Sequence, residues 1–162
     1  MTKDTGVAIH SDALLGKRVL LAIAGGIAAV ESVRLARELR RHQANLTVIM
    51  SEEATKIITP LAVSWGSDTI VHQGWSSEMS QLEAFDVILI APATRNTISK
   101  HLHGIMDSPL LMALSASRGR KSKLCFVPSM HTDLFDDPVT SELLDALHDE
   151  GSHVIILSLI HI

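Results

Sequence analysis

Arg18-Val19-Leu20-Leu21-Ala22-Ile23-Ala24-Gly25-Gly26-Ile27-Ala28-Ala29 decides the fold of this chain. Residues 18–24 form a short apolar run rich in Val, Leu and Ile and bounded by Gly25-Gly26, the pattern of a strand buried on both faces. Behind the glycines the period changes. Ala28, Ala29, Ser32, Leu35, Ala36 and Leu39 keep one small apolar face of a helix, while Glu31, Arg34, Arg37, Glu38 and Arg41 occupy the rest. A buried strand that turns tightly into an amphipathic helix is the opening of a βαβ unit.

Working outward, the same alternation recurs. Residues 45–50 read as a second strand, followed by a short helix capped at Ser51 that ends before Pro60. Residues 60–85 are less regular, with a brief strand at 69–72 and a helical turn near 78–84. Residues 86–91 are a strand, stopped by Pro92 because proline has no N–H for the ladder. Helices follow at 94–104 and 108–117, a strand at 123–127, a helix at 138–150 between Pro138 and Gly151, and a last strand from His153 to Ile156. Residues 1–16 carry no sustained period and read as a loose N-terminal extension. The pattern predicts one α/β domain over residues 17–156: a doubly wound, Rossmann-like or flavodoxin-like parallel sheet in three αβα layers, joined by right-handed crossovers.

Composition narrows the function classes. The net charge of −4 argues against a nucleic-acid partner, and the basic residues from Arg34 to Arg41 alternate with Leu35, Ala36, Glu38 and Leu39 as a solvated helix face. The longest apolar run, residues 19–30, contains two glycines and falls short of the roughly 20 residues of a spanning helix, so no membrane partner is expected. A single cysteine, Cys125, sits inside an apolar strand, which excludes a disulfide framework and makes a cytoplasmic compartment the default. Nine histidines invite a metal site, yet His101 and His103 diverge on a helix and lack an H-x-x-x-H or Cys partner, so surface or capping roles and no metal are expected.

In a parallel α/β sheet, ligands bind beyond the carboxyl ends of the strands. The loops at 24–28, 50–54, 91–97 and 128–138 fall there. Ala24-Gly25-Gly26-Ile27-Ala28 places backbone N–H groups at a helix start, where a phosphate binds. It is not the dinucleotide pattern G-x-G-x-x-G, and Met50-Ser51 ends the second strand where an acidic residue would hold a ribose, which points to a mononucleotide. Ser51 offers a second phosphate contact. Ala91-Pro92-Ala93-Thr94-Arg95-Asn96-Thr97 supplies small polar side chains that serve either as a helix cap or as a ligand rim. Trp65 and Trp75 lie in the irregular segment and cover either the bound ligand or an interface, Glu83 reads as a solvated side chain, and Leu110 to Leu114 read as helix core or subunit interface.

These loops, together with Met50-Ser51-Glu52-Glu53-Ala54-Thr55-Lys56 and Pro128-Ser129-Met130-His131-Thr132-Asp133-Leu134-Phe135, resemble the homo-oligomeric flavin-containing cysteine decarboxylases. The phosphopantothenoylcysteine decarboxylase domain of coenzyme A biosynthesis is the nearest match, and the resemblance spans residues 17–156. It implies FMN as cofactor, bound between subunits of a trimer or a dodecamer. It also implies flavin contacts at Gly25, Gly26, Ile27, Ser51, Thr94, Asn96 and Thr97, and a small-molecule substrate held by Pro128, Met130 and His131. The implied reaction is decarboxylation of a cysteinyl substrate, in which FMN takes a hydride and the resulting thioaldehyde activates loss of CO₂. Asp107 in Gly104-Ile105-Met106-Asp107 fits a recurring family segment.

Two features depart from that family. Its catalytic His corresponds to Glu78 here, and the nearest histidine, His72, lies too far upstream without a gap. A carboxylate is a different acid–base group from an imidazole, so Glu78 and His131 stand as the candidate catalytic residues. The family's substrate flap with its reactive Cys, which would follow the last strand, is also missing. Leu157-Ser158-Leu159-Ile160-His161-Ile162 reads as a translation of the transposon mosaic end CTG TCT CTT ATA CAC ATC, so residues 157–162 are expected to be adapter-encoded and the natural domain truncated. An intact parent locus encoding the same residues would refute that. Two other readings stay open: a prenyl-FMN synthase-like transferase or flavin reductase of the same fold, and a non-catalytic flavoprotein subunit similar to that of dipicolinate synthase.

Overall fold

The computed structural model describes residues 6–157. Its sheet consists of β1 (Arg18–Ile23), β2 (Asn45–Met50), β3 (Val71–His72), β4 (Val87–Ala93), β5 (Lys123–Pro128) and β6 (His153–Val154). All pairings are parallel, in the order β3-β2-β1-β4-β5-β6. This is the Rossmann order rather than the flavodoxin one, and its direction of winding reverses between β1 and β4.

Alternation along the strands divides the core. Leu20 and Ala22 of β1 join Ile49, Ile88, Ile90 and Phe126 on one face, under α3 (Arg95–Leu102), α4 (Pro109–Gly119) and α6 (Pro138–Asp149). Val19, Leu21 and Ile23 join Val48 and Met50 on the other, under α1 (Ser32–Arg41) and α2 (Pro60–Ser67). Each fully buried Leu or Ile contributes about 1.5–3 kcal/mol relative to exposure. With both faces covered, β1 is buried from Val19 onward, which is why it reads as a continuous apolar run.

The structure corrects several expected boundaries. Residues Ile27–Glu31 form a 3₁₀ turn before α1, closed by Ala29 N–H donating to the Gly26 carbonyl (2.9 Å). Pro92 does not stop β4: pairing with β5 lapses after Ile90 and resumes where Ala93 faces Pro128. Lacking an N–H, Pro92 leaves only a local gap in the ladder, and its carbonyl accepts from Ala24 N–H (3.2 Å). The segment after Ser51 contains a 3₁₀ turn (Ala54–Lys56), and Pro60 opens α2, capped by the Thr59 hydroxyl, which accepts from Ala62 N–H. Gly66 lets α2 approach α1, since a Cβ there would lie 2.8 Å from the Val33 carbonyl oxygen.

The described part of the N-terminal extension, residues 6–16, is docked rather than loose. His10 and Leu14 N–H groups donate to the carbonyls of Arg41 and His42, both at 2.9 Å, capping the end of α1. Ser11 Oγ lies 2.6 Å from His42 Nδ1. The expected adapter-encoded tail, apart from Leu157, lies outside the described residues. Among the described residues no helix is long and apolar enough to cross a membrane.

Candidate flavin-binding site

β1, β2 and β4 end side by side at the reversal of winding, and their loops meet there. Gly25 is required by that meeting: a Cβ on it would collide with Glu53 Cβ and sit 3.0 Å from the Glu53 carbonyl carbon. Gly26 is less constrained, with Pro92 and Thr94 side-chain carbons 3.6 Å from where its Cβ would be. Ser51 N–H donates to the Ile23 carbonyl, and Ser51 Oγ accepts from Ala54 N–H (3.2 Å). Accepting that bond leaves the Ser51 hydroxyl its own proton to donate on the cleft that it lines.

Thr94 is the N-cap of α3. Its Oγ1 accepts from Thr97 N–H (3.2 Å) and lies 2.9 Å from Thr97 Oγ1. Thr94 is thereby committed to the first helical turn. Asn96 is exposed at the same helix start, and its side chain has no hydrogen-bond partner among the described residues.

Gly25, Ser51, Thr94, Asn96 and Thr97 line one cleft of about 410 Å³. That volume falls within the roughly 300–1,000 Å³ typical of small-molecule sites. Leu110 and Leu111 of α4, buried as the core role expected of them requires, also form its apolar wall. Lys100 and Asp107 also line it, joined by an ion pair at 2.6 Å. The sequence signal for this wall is Ser108-Pro109: Ser108 caps α4 by accepting from Leu111 N–H, and Pro109 takes its first turn.

The remaining expected site residues lie around this cleft rather than in it. Ile27 is 76% exposed. Pro128, Met130 and His131 follow β5, in a loop tied to β4 by Ser129 N–H donating to the Ala93 carbonyl (3.2 Å). His131 caps α5 (Thr132–Asp136), its Nδ1 accepting from Asp133 N–H at 3.2 Å. In the neutral ring the proton then sits on Nε2.

Glu78 is exposed and lines a second cavity of about 260 Å³, on the other side of the α4 start. His72, too far upstream by sequence spacing, lines the same cavity, with Nδ1 3.0 Å from Ser80 Oγ. The extended loop between β3 and the Ser80–Leu82 turn folds back and brings the two together. Buried Gln81 forms part of the wall.

Two other expectations change. His101 is fully buried rather than on the surface, with Nε2 2.7 Å from Glu150 Oε2. Glu83, expected to be simply solvated, is half-exposed and pairs with Arg18 at 2.7 Å. Cys125 is half-buried in β5, where burial pushes its thiol pKa up, so it is a poor nucleophile. Among the described residues no cluster of His, Cys, Asp or Glu could hold a metal ion.

A family model described as Flavoprotein matches residues 7–161. The chain belongs to the Flavoprotein family. The coenzyme A biosynthesis bifunctional protein CoaBC of Thermococcus kodakarensis is 37% identical to this flavoprotein over 155 residues, covering 91% of the chain and 38% of the relative. The protein of that name from Bacillus subtilis is 32% identical over 146 residues, covering 85% and 35%. The chain thus spans little more than a third of the length of these curated relatives.

Solved structures agree on the fold. The FMN-dependent cysteine decarboxylase SpaF superposes with a TM-score of 0.79 at 24% identity, covering 89% of this flavoprotein and 86% of SpaF. A phosphopantothenoylcysteine (PPC) decarboxylase mutant, C175S, complexed with pantothenoylaminoethenethiol, gives 0.73 at 23% identity, covering 86% and 81%.

Proposed function

We propose that this chain binds FMN in the cleft between the β1, β2 and β4 loops and decarboxylates a cysteinyl substrate such as phosphopantothenoylcysteine, in coenzyme A biosynthesis. One observation carries the cofactor half: Gly25, Ser51, Thr94, Asn96 and Thr97, far apart in sequence, converge on a single cleft at the reversal of winding. The donor set fits a flavin mononucleotide. Ser51 and the glycine loop suit a phosphate, Asn96 and Thr97 suit the heteroatoms of a ring, and Leu110 with Leu111 suits its apolar surface. The reaction half rests on the names of the relatives and on the β5 loop.

Bound there, FMN supplies a hydride acceptor for the thiol-bearing carbon of the substrate. The rest falls to the protein's own side chains. Thr94 holds the first turn of α3 so that Thr97 and Asn96 face the cleft. Leu110 and Leu111 exclude water from one wall. His131, with Nδ1 occupied by Asp133 N–H, offers Nε2–H to the substrate, and Pro128 and Met130 shape the loop around it. Glu78 is the candidate acid–base group of the neighbouring cavity. Assembly into a homo-oligomer is part of this reading, supported by the exposed apolar side chains Ile27, Leu61 and Trp65.

The reading is tested by incubating FMN-loaded protein with phosphopantothenoylcysteine and measuring CO₂. Turnover that falls in Glu78→Ala supports the acid–base assignment; unchanged turnover removes Glu78 from it. A second reading, a non-catalytic flavoprotein subunit, is favoured by Glu78 standing exposed and apart from the cleft. FMN uptake with no CO₂ release would select it.

A further inference from the structure

Among the charged residues that line the cleft, carboxylates outnumber cations. Glu52, Glu53 and Asp107 line it, against Lys100 as the single cation among its lining residues. Lys100 is one turn beyond Asn96 and Thr97 on α3, so the three share a helix face. Its position is set by Ile105 N–H donating to the Lys100 carbonyl (2.9 Å), which closes the turn carrying Asp107 back beside it. The starts of α3 and α4, capped by Thr94 and Ser108, also open on this cleft and bring partial positive charge to it. The Lys100–Asp107 pair is 31% and 54% exposed. An ion pair so open to water contributes little on its own, so Lys100 can change partners at small cost.

We propose that Lys100 is the cationic contact for the phosphate of a phosphorylated flavin in this cleft, and that Asp107 competes with that phosphate for it. This rests on the flavin reading above and adds to it the residue that distinguishes a phosphorylated flavin from an unphosphorylated one. The Leu110–Leu111 wall and the Asn96–Thr97 rim serve both ligands alike; the Lys100 ammonium on the cleft lining, like the Ser51 hydroxyl and the glycine loop, serves only FMN. Asp107 then sets how tightly FMN is held, because the phosphate must displace a carboxylate to reach Lys100.

The test is the dissociation constant of FMN and of riboflavin, read by quenching of flavin fluorescence, for the wild type, Lys100→Gln, Lys100→Arg, Asp107→Asn and the Lys100→Gln/Asp107→Asn double variant. Lys100→Gln is expected to weaken FMN about tenfold, the loss of one charge-assisted hydrogen bond, and to leave riboflavin within about twofold. Lys100→Arg keeps the FMN preference, which separates charge from folding. Asp107→Asn tightens FMN by about threefold, and the gain vanishes in the double variant because it runs through Lys100. Equal weakening of both ligands by Lys100→Gln, no weakening of either, or a gain from Asp107→Asn that survives in the double variant would overturn the proposal while leaving the flavin reading intact. Failure of the wild type to bind either flavin would overturn the flavin reading itself, and this inference with it.

Discussion

His101 Nε2 lies 2.7 Å from a carboxylate oxygen of Glu150, joining the last turn of α3 to the residue that caps α6. Arg118 of α4 completes the junction, donating to the His101 carbonyl (2.8 Å) and to Glu150 Oε1 (3.2 Å). The His101 ring also packs on Phe126 of β5, with centroids 5.2 Å apart and the planes tilted by 46°. Three helices on one side of the sheet are thus tied through one buried imidazole, and the first of them carries the Thr94–Thr97 rim.

This junction predicts acid sensitivity. Burial holds the His101 pKa below the ordinary histidine value, with the Glu150 contact offsetting only part of it. Burial alone would raise the Glu150 pKa, but hydrogen bonds from Ser152, His101 and Arg118 outweigh it and hold the group below the ordinary carboxylate value. A histidine depressed in the folded state gives stability that is complete above about pH 6.5, its unfolded value, and is lost as the unfolded chain takes up the proton first. Glu150 adds a further loss at lower pH, in the carboxylate range. The urea midpoint is therefore expected to fall between pH 7.5 and 5.5, and to fall less in His101→Gln. Equal falls in both proteins would contradict this. Glu150→Ala, which strands the buried imidazole, is expected to cost about 1–3 kcal/mol at pH 7.5.

The two glycines of the first loop should differ sharply. Gly25→Ala drives a methyl group into Glu53 and separates the β1 and β2 loops, whereas Gly26→Ala meets only ordinary contacts near 3.6 Å with φ at −96°. Thermal melts with and without FMN check this. Gly25→Ala is expected to lower the melting temperature and lose FMN-dependent stabilisation; Gly26→Ala is expected to keep its fold.

Thr94 and Asn96 separate structure from ligand contact. Thr94→Ala removes the cap of α3 and is expected to cost about 1 kcal/mol in chemical denaturation. Asn96→Ala removes an exposed amide without internal partners and is expected to change stability by less than about 0.5 kcal/mol while weakening FMN binding. A stable Asn96→Ala protein with unaltered FMN affinity would remove Asn96 from the site.

The fold was legible where burial is two-sided. β1, β2, β4 and β5 read as apolar runs because helices cover both faces, and Gly25-Gly26, Ser51 and Thr94 punctuate their carboxyl ends. The two-residue edge strands β3 and β6 carry too little pattern to delimit. α2 escaped because Leu61 and Trp65 face outward and Gly66 interrupts its inner face, so no apolar stripe marks it. α5 is a single turn capped by His131, an unusual N-cap residue. For the site, the glycine, serine and threonine loops could be placed from sequence because the parallel topology puts their strand ends together. Lys100, Asp107 and Leu111 could not, since their place depends on how the α3–α4 turn closes. The shared cavity of His72 and Glu78 is likewise made by a loop whose path no periodicity reveals.

The most direct test of the account is an equilibrium titration of the purified protein with FMN, followed by flavin fluorescence, beside Asn96→Ala. Saturable binding by the wild type, weakened in Asn96→Ala with no loss of folded structure by circular dichroism, is the predicted result. A folded wild-type protein that remains colourless and takes up no FMN would contradict the central claim.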